Sequence, residues 1–469
     1  MTGISTPAES ATTGRTALYV RIAWRIVPVL FMAQLLASID RANVSFAAQQ
    51  MSQDLGLSAA AFGLGAGVFF IGYFLFEVPS NIFLQRLGAR KWFVRILITW
   101  AIATIATAFV QNETQFYAAR FLIGAAEAGL APGIQLYFSR WFPGTFRARI
   151  NGLFLLAIPM SSIVGGPLAG WILGSFDGAF GLSGWSWLFI VEGGLTLLLF
   201  PVLLMVLPER TSTTTWLSAQ DQRDIEEDVA KDVRHAYGVT VRQMLRSPVT
   251  LQLLFVYFFL LLGTYGITFW MPTILATAGV TSEGTRGLLS AIPFIVAIIW
   301  MPIAGLLSDR FGKRKPFLML GGVMAAGGLV LAAFTPASIP LSLTGMSLTA
   351  AGVLGTIGVF WALTAKRFAA GAAVIGFAII NSVGNLAGFV APYGIGLATD
   401  AFGGPKYALL VIAAAELVAV IIVAVFVREF EAPVDPASSD AAADTVSGFG
   451  IPRAPAPPAD VPDHRPVQL

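Results

Sequence analysis

The sequence predicts an all-α integral membrane protein, with twelve transmembrane helices arranged as two six-helix, pseudo-symmetric halves. Three observations carry that expectation: an extreme apolar composition, twelve apolar runs of bilayer-crossing length, and basic residues confined to alternate loops. Of 469 residues, 56% are hydrophobic and 12% charged, with a mean hydropathy of +0.76. An ordinary soluble domain has roughly 45–50% apolar and about 25% charged residues. A water-soluble fold has nowhere to hide this much apolar surface.

A helix needs about 20 residues to cross roughly 30 Å of hydrocarbon at about 1.5 Å per residue. Runs that meet this length cover 22–48, 60–84, 92–110, 116–138, 152–176 and 187–207, then 249–276, 287–307, 317–335, 341–364, 372–398 and 407–427. The first run is too long, and too poor in small-residue cleavage context, for a signal peptide. The runs divide the chain into an N-terminal tail (1–21), a six-helix half (22–207), a linker (208–248), a second half (249–428) and a C-terminal tail (429–469).

Of the 29 Lys and Arg, 25 fall on the side of the N-terminus, 2 in opposite loops (Arg286 and Lys406) and 2 inside helices (Arg41 and Arg120). Cytoplasmic loops carry the positive excess, so both termini are expected in the cytoplasm. The same bias tests the span count, because adding or dropping one helix would scatter the basic loops over both faces.

The linker carries an S-x-x-D capping signal, Ser218 with Asp221, followed by Ile225, Val229 and Val233 at four-residue spacing. This predicts a helical tether along the membrane face. From about 430 the chain is rich in Ala, Pro, Asp and Ser, too polar to pack, and is expected to be disordered. Cysteine is absent and histidine is limited to His235 and His464. Disulfides, thiolate zinc sites and iron–sulfur clusters are thereby excluded, and no metal or other cofactor is implied. The small net charge of +3 does not point to nucleic acid.

An internal repeat is the strongest motif. Gly305-Leu-Leu-Ser-Asp309-Arg310-Phe-Gly312-Lys313-Arg314-Lys315 follows the eighth run, and 224 residues earlier Asn81-Ile-Phe-Leu-Gln85-Arg86-Leu-Gly88-Ala-Arg90-Lys91 repeats its scheme. A tight glycine turn joins two helices, and acidic and basic groups at the helix ends can cap them and latch their neighbours. Arg86, Gly88, Arg90, Asp309, Arg310, Gly312 and Arg314 are therefore candidates for a conformational latch. At these residues the chain resembles the major facilitator superfamily, with Gln85 departing from the acid of the full motif.

Further stretches narrow the resemblance to the anion:cation symporter family, the organic-acid permeases of the phthalate, tartrate and galactonate type. They are Ile39-Asp40-Arg41-Ala42-Asn43, Glu77-Val78-Pro79-Ser80-Asn81, Arg140-Trp141-Phe142-Pro143, Trp187-Leu-Phe-Ile-Val-Glu192-Gly193, Phe269-Trp270-Met271-Pro272, and the run from Asn381 to Phe389. The resemblance covers about residues 20–430. It implies a major facilitator fold and secondary transport of a small organic anion, with protons, across the cell inner membrane; a monomer is expected. In that family the arginine of the first-span Asp-Arg pair and the fourth-span arginine bind the substrate carboxylate. Their acidic partners carry protons. These roles fall on Arg41 and Arg120, and on Asp40 and Glu127.

Charges inside a bilayer cost roughly 2.5–3.5 kcal/mol each at a helix centre and are rarely retained without purpose. The candidates are Asp40, Arg41, Glu77, Arg120, Glu127, Glu192 and Glu416. Arg120 and Glu127 are seven apart, hence on one helix face, with Gly124 between them leaving room for a ligand. Plainer roles stand beside these: Asp40 and Arg41 as a helix-end ion pair, Arg120 as a structural partner of Glu127, and Glu127 as a permanently protonated acid. Glu77 and Glu192, near span ends, are expected to pair with basic loop residues.

Tyr73, Trp361, Asn381 and Asn385 complete the expected pocket, the two asparagines lying one turn apart on one face. Asparagines can equally join helices. Gly63/Gly67, Gly166/Gly170 and Gly384/Gly388, at four-residue spacing, are expected to pack helices closely. The apolar stretch Leu156-Ala157-Ile158-Pro159, with Tyr73 and Trp361, leans toward aromatic or less hydroxylated acids. A channel would show repeated polar rings, and a membrane enzyme would pair the acids with a nucleophile or metal ligands. Neither pattern is present. An exchanger or exporter of organic anions remains the alternative.

Overall fold

The structure, a computed structural model, describes residues 7–233, 241–368 and 370–427. The C-terminal tail expected over 429–469 lies outside the described residues. Among the described residues every α-helix overlaps an apolar run or lies in the linker, α6 only by its last four residues, and there is no strand.

The first half begins with α1 (Pro7–Leu55), α2 (Ala59–Leu87) and α3 (Ala89–Thr107). Its fourth span is α4 (Glu113–Glu127) continued by α5 (Leu130–Trp141), its fifth α6 (Gly144–Leu155) continued by α7 (Ala157–Ser175), and its sixth α8 (Gly184–Val206). Helices α9 (Ala219–Val233) and α10 (Val241–Leu245) lie in the linker. The second half comprises α11 (Pro248–Thr277), α12 (Glu283–Arg310), α13 (Lys315–Phe334), α14 (Ile339–Arg367), the pair α15 (Ala370–Gly384) and α16 (Ala387–Phe402), and α17 (Lys406–Phe426). Eleven of these stretches are long and apolar enough to cross a membrane. The twelfth, α3, has only 19 residues and carries Arg90, Lys91 and Arg95 in its first two turns.

Three spans are broken where the sequence reads as one apolar run. Between α4 and α5 the chain passes through Gly129, which takes a left-handed φ of +86° that interrupts the helical ladder. The other breaks fall at Leu156 and at Asn385-Leu386. In consequence Glu127 occupies a helix C-terminus and Asn385 an inter-helix corner, positions that free side chains from the crowding of a continuous helix.

The linker forms its predicted cap. Ser218 Oγ accepts from the Asp221 amide at 3.1 Å, and Asp221 Oδ2 accepts from the Ser218 amide at 3.1 Å. Ile225 is fully buried. The first turns of α1 extend beyond the apolar run and dock on α9: Arg15 bonds Asp228 at 2.6 Å, Tyr19 donates to Asp228 at 2.9 Å, and Arg21 bonds Asp221 at 2.7 Å. Burial alone would push the Asp221 carboxyl up, but the Ser218 amide and hydroxyl and the Arg21 guanidinium outweigh it and hold the carboxyl below its usual range.

The two halves meet through α1 against α11, α2 against α16 and α7 against α12. Their closest approaches are on the face opposite the basic loops. There Gly63 meets the Pro392 carbonyl, Gly166 and Gly287 meet backbone to backbone, and Gly170 meets the Glu283 carbonyl. Arg286 Nη1 donates to Gln49 Oε1 at 2.6 Å. Asp400 accepts from the Ala59 and Ala60 amides at 3.0 and 2.8 Å, completing the cap that Ser58 gives Ala61.

On the basic face, Gly88 (φ +92°) and Gly312 (φ +62°) make the two tight turns of the repeat. Asp309 pairs with Arg314 at 2.9 Å rather than with the adjacent Arg310. In the first-half loop, where Gln85 replaces the acid, Glu209 supplies a carboxylate from the chain after α8. Its Oε2 accepts from the Arg90 amide at 3.2 Å, at the N-terminus of α3.

Candidate functional site

Asp40 and Arg41 are neighbours in α1, so their side chains diverge by about 100° around the helix. Asp40, 2% exposed, turns to α3, where Thr104 Oγ1 donates to its Oδ1 at 2.9 Å. The Trp100 indole nitrogen lies near Asp40 but outside hydrogen-bond geometry. Arg41 turns to α4 and donates from Nη2 to Glu127 Oε1. The pair is therefore not a helix-end couple: each residue has its own partner on a different helix.

Arg41 keeps 19% of its side chain exposed, whereas Glu127 has none. The Arg41 guanidinium also lies 4.9 Å from the Tyr73 ring centre and 5.4 Å from that of Phe69. Such cation–π contacts contribute about 0.5–2 kcal/mol, more as water is excluded, and they fix the direction of the guanidinium fork.

Arg120 is placed differently from Arg41. It is fully buried, its guanidinium lies 5.0 Å from the same Phe69 ring, and Nε, Nη1 and Nη2 have no hydrogen-bond partner among the described residues. Asp40, Glu127 and Glu192 lie within its electrostatic reach. The space expected for a ligand above Gly124 is taken by α2, whose Phe69 carbonyl and Tyr73 amide pack directly on that glycine. The seven-residue spacing of Arg120 and Glu127 thus does not make them partners; Glu127 is held by Arg41.

In the second half, Asn385 Oδ1 accepts from the Tyr265 hydroxyl at 3.0 Å, and Tyr265 packs on Phe70 of α2 at 4.7 Å. Asn381 Oδ1 accepts from the Tyr257 hydroxyl at 3.4 Å, and Tyr257 packs on Trp361 at 4.9 Å. Arg41, Tyr265, Trp361, Asn381 and Asn385 are all partly exposed. The two asparagines therefore belong to separate aromatic clusters, with Asn385 nearer the Arg41 side because Tyr265 interacts with Arg41 electrostatically.

Glu77 and Glu192 depart from their expected loop pairing. Ser382 Oγ donates to Glu77 Oε2 at 3.0 Å, across the two halves. Glu192 is 4% exposed, faces Asp40 and Arg120, and neither carboxylate oxygen has a hydrogen-bond partner among the described residues. Both acids lie deeper than the apolar-run boundaries suggest, because α2 extends past its run at both ends and α8 begins three residues before its own.

The family model described as Major Facilitator Superfamily matches residues 30–392 and, in a second match, residues 281–459. The chain belongs to the Major Facilitator Superfamily. As a member it is a multi-pass membrane transporter rather than an enzyme. Among its relatives, a protein of Pseudomonas putida named "Putative metabolite transport protein NicT" is 40% identical over 420 residues, 87% of this chain and 95% of that one. A "Quinolone resistance transporter" of Acinetobacter baumannii is 39% identical over 388 residues, 81% and 88% of the two chains. A "Putative tartrate transporter" of Agrobacterium vitis is 37% identical over 410 residues, 87% and 91% of the two. The Escherichia coli xylose transporter XylE, solved in a partially occluded inward open conformation, superposes with a TM-score of 0.72 at 17% identity over 88% of this chain and 99% of that one. That likeness shows the fold alone.

In this facilitator, sequence reasoning missed Tyr257, Tyr265, Phe69 and the position of Glu192. Two tyrosines eight apart in the largely apolar α11 were the available signal, since a buried hydroxyl needs a partner.

Proposed function

We propose that this transporter is a proton-coupled symporter importing a small organic anion by alternating access. Its substrate is a carboxylate such as an aromatic acid, a sugar acid or a dicarboxylate. It works as a monomer in the cell inner membrane with both termini cytoplasmic, as the confinement of basic residues to one face supports. The observation that carries the reading is the partly exposed Arg41 held by the wholly buried Glu127.

A substrate carboxylate that engages the Arg41 fork takes the place of Glu127, since guanidinium and carboxylate match bidentately. A buried carboxylate deprived of its cation is more stable as the neutral acid, so Glu127 takes a proton as the substrate binds. Substrate and proton then favour each other's binding by the same factor. Tyr73, Asn385 and Tyr265, with Asn381 and Trp361 further along, line the path; Arg120 and Asp40 support the pair from behind. The Gly88 and Gly312 loops, with Arg86, Arg90, Asp309, Arg310 and Arg314, form the latch on the cytoplasmic face. The relatives named for tartrate transport support the anion class.

A second reading, an organic-anion exchanger or exporter, draws on the relative named for quinolone resistance. Purified protein in liposomes separates the two. With tartrate and benzoate as probes, an inward-directed proton gradient is expected to drive uphill uptake of at least one. Counterflow without any response to the pH gradient would select the exchanger, and failure of both probes to enter would reject the anion class.

A further inference from the structure

The charge cluster around Arg120 in the first half has one cation too few. Arg41 and Glu127 form one pair. What remains is Arg120 facing both Asp40 and Glu192, all three at most 4% exposed. Asp40 Oδ1 is bonded by Thr104, but Asp40 Oδ2, both Glu192 oxygens and all three Arg120 nitrogens have no hydrogen-bond partner among the described residues. These unmet donors and acceptors are chemically complementary and mutually within electrostatic reach.

Helix α8, which carries Glu192, packs against α1, α3 and α7. The charged groups offered to Glu192 are Asp40 from α1 and Arg120 from α4. The basic residues of α3 are confined to its first two turns, and α7 has no ionisable residue. One cation therefore stands against two carboxyls in a water-excluded interior, where an uncompensated charge is strongly disfavoured.

We infer that Asp40 and Glu192 share one resident proton beside Arg120, so that this cluster is neutral in the empty carrier, while Glu127 is the acid that takes a proton as substrate binds. Glu192 is then a positioning residue: with Asp40 it holds Arg120 behind Phe69 and keeps it from competing with Arg41 for the substrate. The division of labour with Glu127 rests on the symport reading, but the resident proton does not, and it is read without any substrate.

The test is infrared spectroscopy of the full-length protein in liposomes at neutral pH, in a Glu416→Gln background. That background removes another buried carboxyl whose oxygens are unpartnered among the described residues. One carboxylic-acid carbonyl component is expected to vanish in Asp40→Asn and equally in Glu192→Gln, because each leaves a single acid that ionises against Arg120. The double variant loses no more than either single one, and Glu192→Asp retains a component. If Glu192→Gln does not fold, Asp40→Asn alone decides, since it must strip the proton from Glu192. Survival of the component in either single variant, or loss of two components in the double variant, overturns the inference. Absence of proton-driven uptake would instead reject the symport reading and leave the spectrum unchanged.

Discussion

Arg41 and Glu127, 86 residues apart in sequence, are hydrogen-bonded between α1 and α4, and only the arginine is open to solvent. A ligand carboxylate can thus reach the cation while the acid that must respond stays dry.

Arginine at this position is expected to be irreplaceable by lysine, which has the charge but no planar fork. Arg41→Lys should weaken tartrate or benzoate binding at least tenfold, about 1.4 kcal/mol, with Arg120→Lys weakening it through loss of the packing on Phe69. Thermal-shift titration of the purified variants reads this. Unchanged affinity in Arg41→Lys would remove that arginine from the binding site, and in Arg120→Lys would show that its packing does not support the site.

Glu127→Gln imitates the protonated acid. Exchange of labelled substrate across the membrane should persist while uphill uptake under a proton gradient is lost. Retention of concentrative uptake in this variant would move the coupling site elsewhere.

The Cys-free chain allows a clean topology map. A single cysteine beside Lys406, labelled in intact cells by a membrane-impermeant maleimide, is expected to react from outside. Reaction only after permeabilisation would reverse the orientation proposed here.

Asp221 makes docking of the linker helix pH-dependent. Its carboxyl is held below the usual value in the folded chain, so its stabilisation is complete above the unfolded value of about 3.9 and is lost as pH falls through the lower folded one. A fluorophore at position 220 should report loosening of α9 only in acid below about pH 4, and Asp221→Asn should loosen it at neutral pH while Arg15 and Tyr19 still hold Asp228. Release of the wild type near pH 6 would point to another group.

Backbone contact of Gly166 with Gly287 leaves no space for a side chain. Gly287→Val should therefore prop the halves apart on the face opposite the basic loops. A cysteine in place of Phe46, which packs beside Gly166, should then be labelled several-fold faster by an impermeant reagent. An unchanged rate would mean that this contact does not close the path.

The helices were legible because a bilayer imposes length and apolarity on every span, and the glycine pairs because close helix packing demands small residues at four-residue spacing. The breaks at Gly129, Leu156 and Asn385 were not, since they interrupt the backbone without interrupting the apolar run. Pairing was the hardest to read. The seven-residue spacing of Arg120 and Glu127 states only that they share a face of one helix, whereas the partner of Glu127 comes from α1. Glu192 stands near the edge of its apolar run, yet α8 starts three residues before that run, and its neighbours α1 and α3 cover it. In the same way Glu209, distant from the Gln85 loop in sequence, restores a carboxylate beside it.

The cap of α2 is assembled from both halves: Ser58 serves one amide locally, while Asp400 serves two others, 341 and 340 residues away in sequence. Parting the halves on that face therefore frays the first turn of α2, a penalty on the order of 0.5–2 kcal/mol for a lost N-cap. An empty carrier is biased by roughly two- to thirtyfold toward the arrangement in which this face is shut. The resting preference of the molecule is then written partly into a helix terminus, and Asp400→Ala should shift that preference without touching any residue that meets the cargo.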